Sequence, residues 1–213
     1  AIISNVSKGK SRVRNIATFT GFFTTGFMIG PLLGTLLLDN LDLTYRILFE
    51  VAAFVLAASI VSSLVVSKNR IKEKRVNFNL SSLKKIFEFR EIIVLLIFCT
   101  SSFGMILTIF PAFLNDRAMS AVNIELLFFI FGISRVSTLV LAGKLARRTS
   151  VTLITAMISI SLGLIVAFTS HSIFEFAISL LLMGYGFSIF FPLTLDIILS
   201  KTRKEISGTM IGA

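Results

Sequence analysis

Gly26-Phe27-Met28-Ile29-Gly30-Pro31-Leu32-Leu33-Gly34 lies inside an apolar run from Ile16 to Leu38. Its glycines recur at i, i+4 and i+8, so they share one helix face and leave a groove where a second backbone can come close. In lipid, apolar burial gives no push between helices, and small-residue faces are how helices associate. Pro31 brings no N–H to the carbonyl one turn back, which predicts a kink there. The expectation is a bilayer-spanning helix whose glycine face meets a small-residue face on another span.

The remainder of the chain has the same character. Its 213 residues are 55% hydrophobic and 15% charged, with 22 Phe and no Trp, and their mean hydropathy is +0.92. An ordinary soluble domain is roughly 45–50% apolar and 25% charged. Six apolar runs, about 16–38, 45–66, 92–114, 122–142, 151–168 and 174–199, each approach the ~20 residues that a hydrocarbon core requires. The fold class expected is an all-α membrane protein with six transmembrane helices. A single cysteine, Cys99, excludes a disulfide framework and a cysteine metal cluster. No signal peptide is legible. The chain opens on Ala1 and closes on Ser207-Gly-Thr-Met-Ile-Gly-Ala213, and is expected to be an internal fragment.

A net charge of +10 would suggest nucleic acid for a soluble protein, but the positions of the charges decide otherwise. Lys8, Lys10, Arg12 and Arg14 precede the first span, and eight basic residues from Lys68 to Arg90 separate the second from the third. Lys144, Arg147 and Arg148 follow the fourth span, and Lys201, Arg203 and Lys204 follow the sixth. Alternate connections therefore hold 18 of the 21 Lys and Arg. By the positive-inside rule those connections are cytoplasmic. The partner expected is the lipid bilayer, with no nucleic acid.

The short outer turn Asp39–Thr44 predicts that spans one and two form an antiparallel hairpin. Between spans two and three, Leu80, Leu83, Ile86 and Phe87 recur at helical spacing after Ser81 and Ser82, beside Lys84, Lys85 and Arg90. This pattern predicts a short basic amphipathic helix on the inner membrane surface. It is also the one compositional boundary, giving segments 1–66, 67–90 and 91–213.

Residues that carry chemistry are few. Span three has Cys99-Thr-Ser-Ser102, Phe103-Gly104 and Pro111. That is either a bent, cavity-facing element or a set of hydroxyls bonded back to their own helix. Arg135 in span four is near mid-membrane, where a charge is costly and by default a functional candidate. Ser134, Thr138 and Ala142 form a small-residue stripe at i, i+4 and i+8, the face expected to meet Gly26, Gly30 and Gly34. In span six, Tyr185 is too deep for an interfacial belt, so its hydroxyl requires a partner or a cavity. Asp196 is near the depth of Arg147 and Arg148 and is expected to pair with them. His171, in an outer loop, receives no role. No H-E-x-x-H, no G-x-S-x-G and no paired intramembrane acids are present, so neither an enzyme nor a cofactor or metal site is expected.

The G-x-x-x-G-P-x-x-G pattern resembles the fifth-helix signature of drug-exporting members of the major facilitator superfamily. Gly143-Lys-Leu145-Ala-Arg147-Arg148-Thr-Ser150 resembles that family's inner loop motif, G-x-L-a-D-R-x-G. Gly143, Leu145 and Arg148 match, while Arg147 stands for Asp and Ser150 for Gly. Arg203-Lys-Glu-Ile-Ser-Gly208-Thr is similar to the usual start of helix eleven. The resemblance spans the chain and implies the end of helix four, helices five to ten and the start of eleven. It implies a partial fold from two helical bundles, 1–66 in the first and 91–213 in the second, joined by the linker 67–90. The full-length protein would be a monomeric, multi-pass transporter of the cell membrane that works by alternating access.

On the same resemblance, the substrate cavity would draw on Phe103, Met105, Phe110, Arg135, Tyr185, Phe187 and Phe191. Gly26, Gly30, Pro31 and Gly34 would serve packing and gating, and Gly143, Leu145, Arg147 and Arg148 with Asp196 would form the inner loop motif. The small-molecule substrate implied is a drug or lipophilic compound exported in exchange for protons. Two alternatives stay open: an importer of a sugar or organic anion, with Arg135 binding a carboxylate, and a non-transporting scaffold or sensor of the same fold.

Overall fold

Each apolar run is an α-helix in the computed structural model, which describes residues 10–35, 37, 44–68 and 90–201. A backbone without water must satisfy its N–H and C=O groups within its own segment, and a helix does so. The helices are α1 (Lys10–Thr35), α2 (Tyr45–Lys68), α3 (Arg90–Asp116), α4 (Ala121–Leu145), α5 (Thr149–Thr169) and α6 (Ile173–Lys201), with a 3-10 turn at Ala146–Arg148. Their ends fall within three residues of the sequence-based bounds, apart from α1, which starts six residues early. The amphipathic linker helix, the turn after α1 and the motif at Arg203 lie outside the described residues.

Local chemistry sets the ends. After α3, Met119 N–H donates to Leu114 O at 3.2 Å and Ala118 N–H to Asn115 O at 2.9 Å. This paired closure places Ala118 at φ 57°, in the left-handed position that such helix ends usually give to glycine. Ser120 then caps α4, its hydroxyl accepting from Asn123 N–H at 3.3 Å. At α6, Ser172 Oγ accepts from Glu175 N–H at 3.3 Å while the Glu175 carboxylate accepts from Ser172 N–H at 3.1 Å. That reciprocal pair is a capping box.

The most extensive packing joins α5 to α6, α1 to α4 and α4 to α6, while α3 leans more lightly on α4 and α6. Phe110, Leu114, Leu127, Phe131, Phe176 and Met183 build one core. Val13, Ala17, Leu139, Ala142, Ile189 and Leu193 build a second, toward the basic end of α1. Among the described residues α2 makes at most marginal contact with other helices, and its described side chains are exposed except Leu48. Among the described residues, the two spans expected to form a hairpin therefore do not make a packed pair.

Many large apolar side chains face outward, among them Phe22 at 76%, Phe54 at 76%, Phe168 at 80% and Phe174 at 79% exposure. Monomeric soluble proteins rarely expose large apolar patches to water. Four described stretches are long and apolar enough to cross a membrane: Val13–Gly34, Arg90–Asp116, Ala121–Thr169 and Ile173–Ile198. The third holds both α4 and α5. α2, whose side chains are described over a shorter length, is not among them.

The glycine pattern requires a correction. No described atom lies within 4 Å of a Cβ built at Gly26, Gly30 or Gly34. α1 meets α4 through Val13, Ala17, Thr24 and Met28 instead, roughly 130° around the helix from the glycines at about 100° per residue. The Ser134–Thr138–Ala142 stripe is engaged elsewhere: Ser134 Oγ donates to Leu181 O of α6 at 2.7 Å, and Ala142 is in the second core. Close packing belongs to other glycines. A Cβ at Gly184 would approach Phe131 O to 3.0 Å, at Gly186 Ala156 O to 2.6 Å, and at Gly163 Ser179 O to 2.9 Å. Those are backbone atoms, so the helix axes themselves are what the missing side chains bring together.

Candidate substrate cavity

Three helices wall a cavity of about 170 Å³. α1 supplies Thr24, Phe27, Met28 and Pro31, a single face at i, i+3, i+4 and i+7. α3 supplies Leu107 and Pro111, one turn apart. α4 supplies Ile124, Glu125, Phe128, Phe131, Gly132 and Arg135, again one face by helical periodicity. Gly132 sets the closeness of α1, because a Cβ there would overlap the Met28 side chain.

Two of the three prolines, Pro31 and Pro111, touch this cavity together with the residue four positions before them. Pro31 has no N–H for the carbonyl of Phe27, and Pro111 has none for that of Leu107. Each helix therefore carries a carbonyl without its usual amide donor in the segment that lines the cavity. The side chains around them are apolar, so the polar groups present stand out.

Arg135 is one of them. It is only 7% exposed. Its guanidinium carbon is 4.7 Å from the ring centroid of Phe103 and 5.5 Å from that of Phe131. Such ring contacts contribute about 0.5–2 kcal/mol each. Removing a cation from water costs several kcal/mol even after relaxation, so two rings do not repay it. The Nε of Arg135 has no hydrogen-bond partner among the described residues.

Thr24 is the second. It is 1% exposed, and its hydroxyl is likewise without a partner among the described residues. Its neighbours behave differently. Thr18, Thr20 and Thr25 each donate to the carbonyl four residues back, at 2.9 Å. A buried hydroxyl left unpaired costs about 1–3 kcal/mol. A third such atom, Ser179 Oγ on α6, is not part of this lining.

The residues singled out in the sequence divide clearly. Arg135 lines the cavity, and Phe103 lies over its guanidinium and packs 5.4 Å from the Phe187 ring. Phe110 is 8% exposed in an aromatic cluster with Phe113, Phe128 and Phe176, all at centroid distances near 6 Å. Tyr185 reaches Thr155 of α5, hydroxyl to hydroxyl at 2.9 Å, outside the lining. Met105 and Phe191 face outward at 60% and 44% exposure. Of Gly26, Gly30, Pro31 and Gly34, Pro31 alone is in the lining.

The hydroxyls of span three, Thr100 and Ser102, donate to Leu96 O and Phe98 O at 2.8 and 2.9 Å. That is the back-bonded arrangement, not a polar cavity wall. In the inner loop, Arg147 and Arg148 are exposed and Asp196 is half-buried. The side of Gly143 faces Arg14 of α1, 3.6 Å from a Cβ built there. Thr152 Oγ1 donates to Leu145 O at 2.8 Å, fastening the loop to α5. Sequence reasoning missed Thr24, Phe27, Met28, Leu107, Phe128, Phe131 and Gly132 as lining. Their signal was helical spacing: from Pro31 on α1, from Pro111 on α3 and from Arg135 on α4, the residues three, four and seven positions before share its face.

Among the described residues no group of three or more His, Cys, Asp or Glu is placed to hold a metal ion. Compared with curated proteins and with solved structures, the chain matches none. A family model described as Major Facilitator Superfamily matches residues 1–213. With a helical chain of membrane-crossing length and a charged cavity between its helices, that match over the whole sequence means that the chain belongs to the major facilitator superfamily, a family of multi-pass membrane transporters and not of enzymes.

Proposed function

We infer that this chain carries the middle of an alternating-access transporter that exports lipophilic compounds in exchange for protons. Residues 1–66 with α1 and α2 end one bundle, 67–90 link the bundles, and 91–213 with α3 to α6 belong to the other, making six spans. The basic connections face the cytoplasm, and the protein acts in the cell membrane. One observation carries this reading. A buried arginine stands in a cavity walled by α1 on one side and by α3 and α4 on the other. In this reading those walls belong to different bundles, so a rocking motion between them opens and closes the cavity.

The lining suits an amphiphilic cargo: Phe27, Met28, Leu107 and Phe128 offer apolar, adaptable surface around a few polar groups. Asp196 and the arginines of the Gly143–Arg148 loop act as an inner latch. A second reading, uptake of an organic anion, is favoured by the unpartnered Nε of Arg135. The test is transport by the full-length protein in inverted membrane vesicles with an imposed proton gradient. Accumulation of a lipophilic dye that collapses with the gradient is the result expected. Absence of dye accumulation together with uptake of organic anions into right-side-out vesicles would establish the second reading.

A further inference from the structure

We propose that the cavity between α1, α3 and α4 binds a small aromatic or similarly compact monocarboxylate, held by Arg135 Nε–H and the Thr24 hydroxyl together. The proposal rests on taking this cavity as part of the transport path, and it narrows the cargo to one chemical class. Three observations carry it.

The first is that the two unpartnered groups share one cavity. Arg135 is 7% exposed and Thr24 1%, both in the lining, and neither Arg135 Nε nor Thr24 Oγ1 has a hydrogen-bond partner among the described residues. The guanidinium only donates, and a threonine hydroxyl donates as well, so the complementary ligand group is an acceptor with two oxygens. A carboxylate fits that description, and its charge answers that of the arginine. Because Thr24 is on α1 and Arg135 on α4, the same carboxylate joins the two helices.

The second is size. About 170 Å³ is close to the roughly 150 Å³ of an apolar cavity that accepts benzene. Phe103 and Phe131 already pack beside the guanidinium carbon, at 4.7 and 5.5 Å, and hold the cation at the cavity wall. The third is the distribution of acceptors. Glu125 lines the same cavity ten residues before Arg135, about 15 Å away at helical rise. The carbonyls of Phe27 and Leu107 lack their amide donors because of Pro31 and Pro111. The lining segments thus carry these acceptors as well as the two unpartnered donors. A second carboxylate on the ligand meets those acceptors and is rejected.

The experiment is equilibrium binding of labelled benzoate to the full-length protein in phosphatidylcholine nanodiscs, which contain no anionic lipid to compete. Benzamide and terephthalate serve as competitors, the first removing the charge and the second adding a carboxylate at the far end. Both are expected to compete at least about tenfold more weakly than benzoate, since each leaves buried polar groups mismatched. Arg135→Gln is expected to lose benzoate binding and Thr24→Val to weaken it several-fold. Thr24→Val preserves shape, so it reports even if Arg135→Gln fails to fold.

Equal competition by benzamide and benzoate, or unchanged benzoate binding in Thr24→Val and Arg135→Gln, would overturn the proposal. Benzoate uptake into proteoliposomes is measured separately. Selective binding without uptake upholds the site while removing the transport reading. Transport of lipophilic compounds with no preference for benzoate keeps that reading and overturns the site.

Discussion

The guanidinium carbon of Arg135 lies 4.7 Å from the ring centroid of Phe103, which ties α4 to α3 beside the cavity. This contact sets the cation beside the Phe103 ring while its Nε is left without a partner among the described residues. Phe103→Leu removes the ring quadrupole but keeps an apolar side chain. The expected cost is about 0.5–2 kcal/mol, a loss of roughly 2- to 30-fold in transport rate at equal membrane levels. Phe103→Tyr should retain most of the activity. A Leu variant with unchanged rates would mean that the ring only fills space.

The glycines that matter for packing are those whose missing side chains face backbone. Gly186→Leu should prevent stable assembly of α5 on α6, because a Cβ at that position would approach Ala156 O to 2.6 Å. Gly30→Leu should be tolerated, since no described atom lies within 4 Å of a Cβ there. Yield of monodisperse protein in detergent distinguishes the two. Loss of yield in Gly30→Leu with normal yield in Gly186→Leu would reverse this picture of the packing.

The extent of the described helices and the burial of a charged residue in α4 were legible because the hydrocarbon core imposes length and apolarity one segment at a time. The partner of a helix face was not. Spacing at i, i+4 and i+8 identifies a face on Gly26, Gly30 and Gly34, but nothing local states what that face meets. Gly132, Gly163, Gly184 and Gly186 carry the close contacts: Gly132 of α4 meets α1, Gly184 of α6 meets α4, and Gly163 of α5 and Gly186 of α6 face each other's helices. Thr24 was indistinguishable in sequence from Thr20 and Thr25. Its difference is a hydrogen bond it does not make. The capping box Ser172-x-x-Glu175, by contrast, is a local arrangement of residues three apart in sequence.

Ala118 occupies a left-handed backbone position, φ 57°, at the end of α3. An L residue there carries a steric cost of about 1–2 kcal/mol, part of which glycine returns in unfolded-state entropy. Ala118→Gly should therefore stabilise the protein by up to about 1 kcal/mol, read as a higher Tm in detergent. A lower Tm would show that the position is not strained.

For the inner latch, Asp196→Lys should reduce transport, and Arg148→Asp in the same protein should restore part of it. Rates are compared at matched expression, and the double variant decides the point. If it is no better than Asp196→Lys alone, Asp196 and Arg148 do not act as a pair.

The central claim is that Arg135 serves the cargo and not the fold. The direct measurement is transport by full-length Arg135→Ala and Arg135→Lys, each confirmed to be inserted and monodisperse. A point charge on a flexible stem does not reproduce the guanidinium's donor fork, so both variants should lose transport by about tenfold or more, the worth of a charge-assisted hydrogen bond of ~1.5–3 kcal/mol. Wild-type rates from a correctly inserted Arg135→Ala protein would contradict the account.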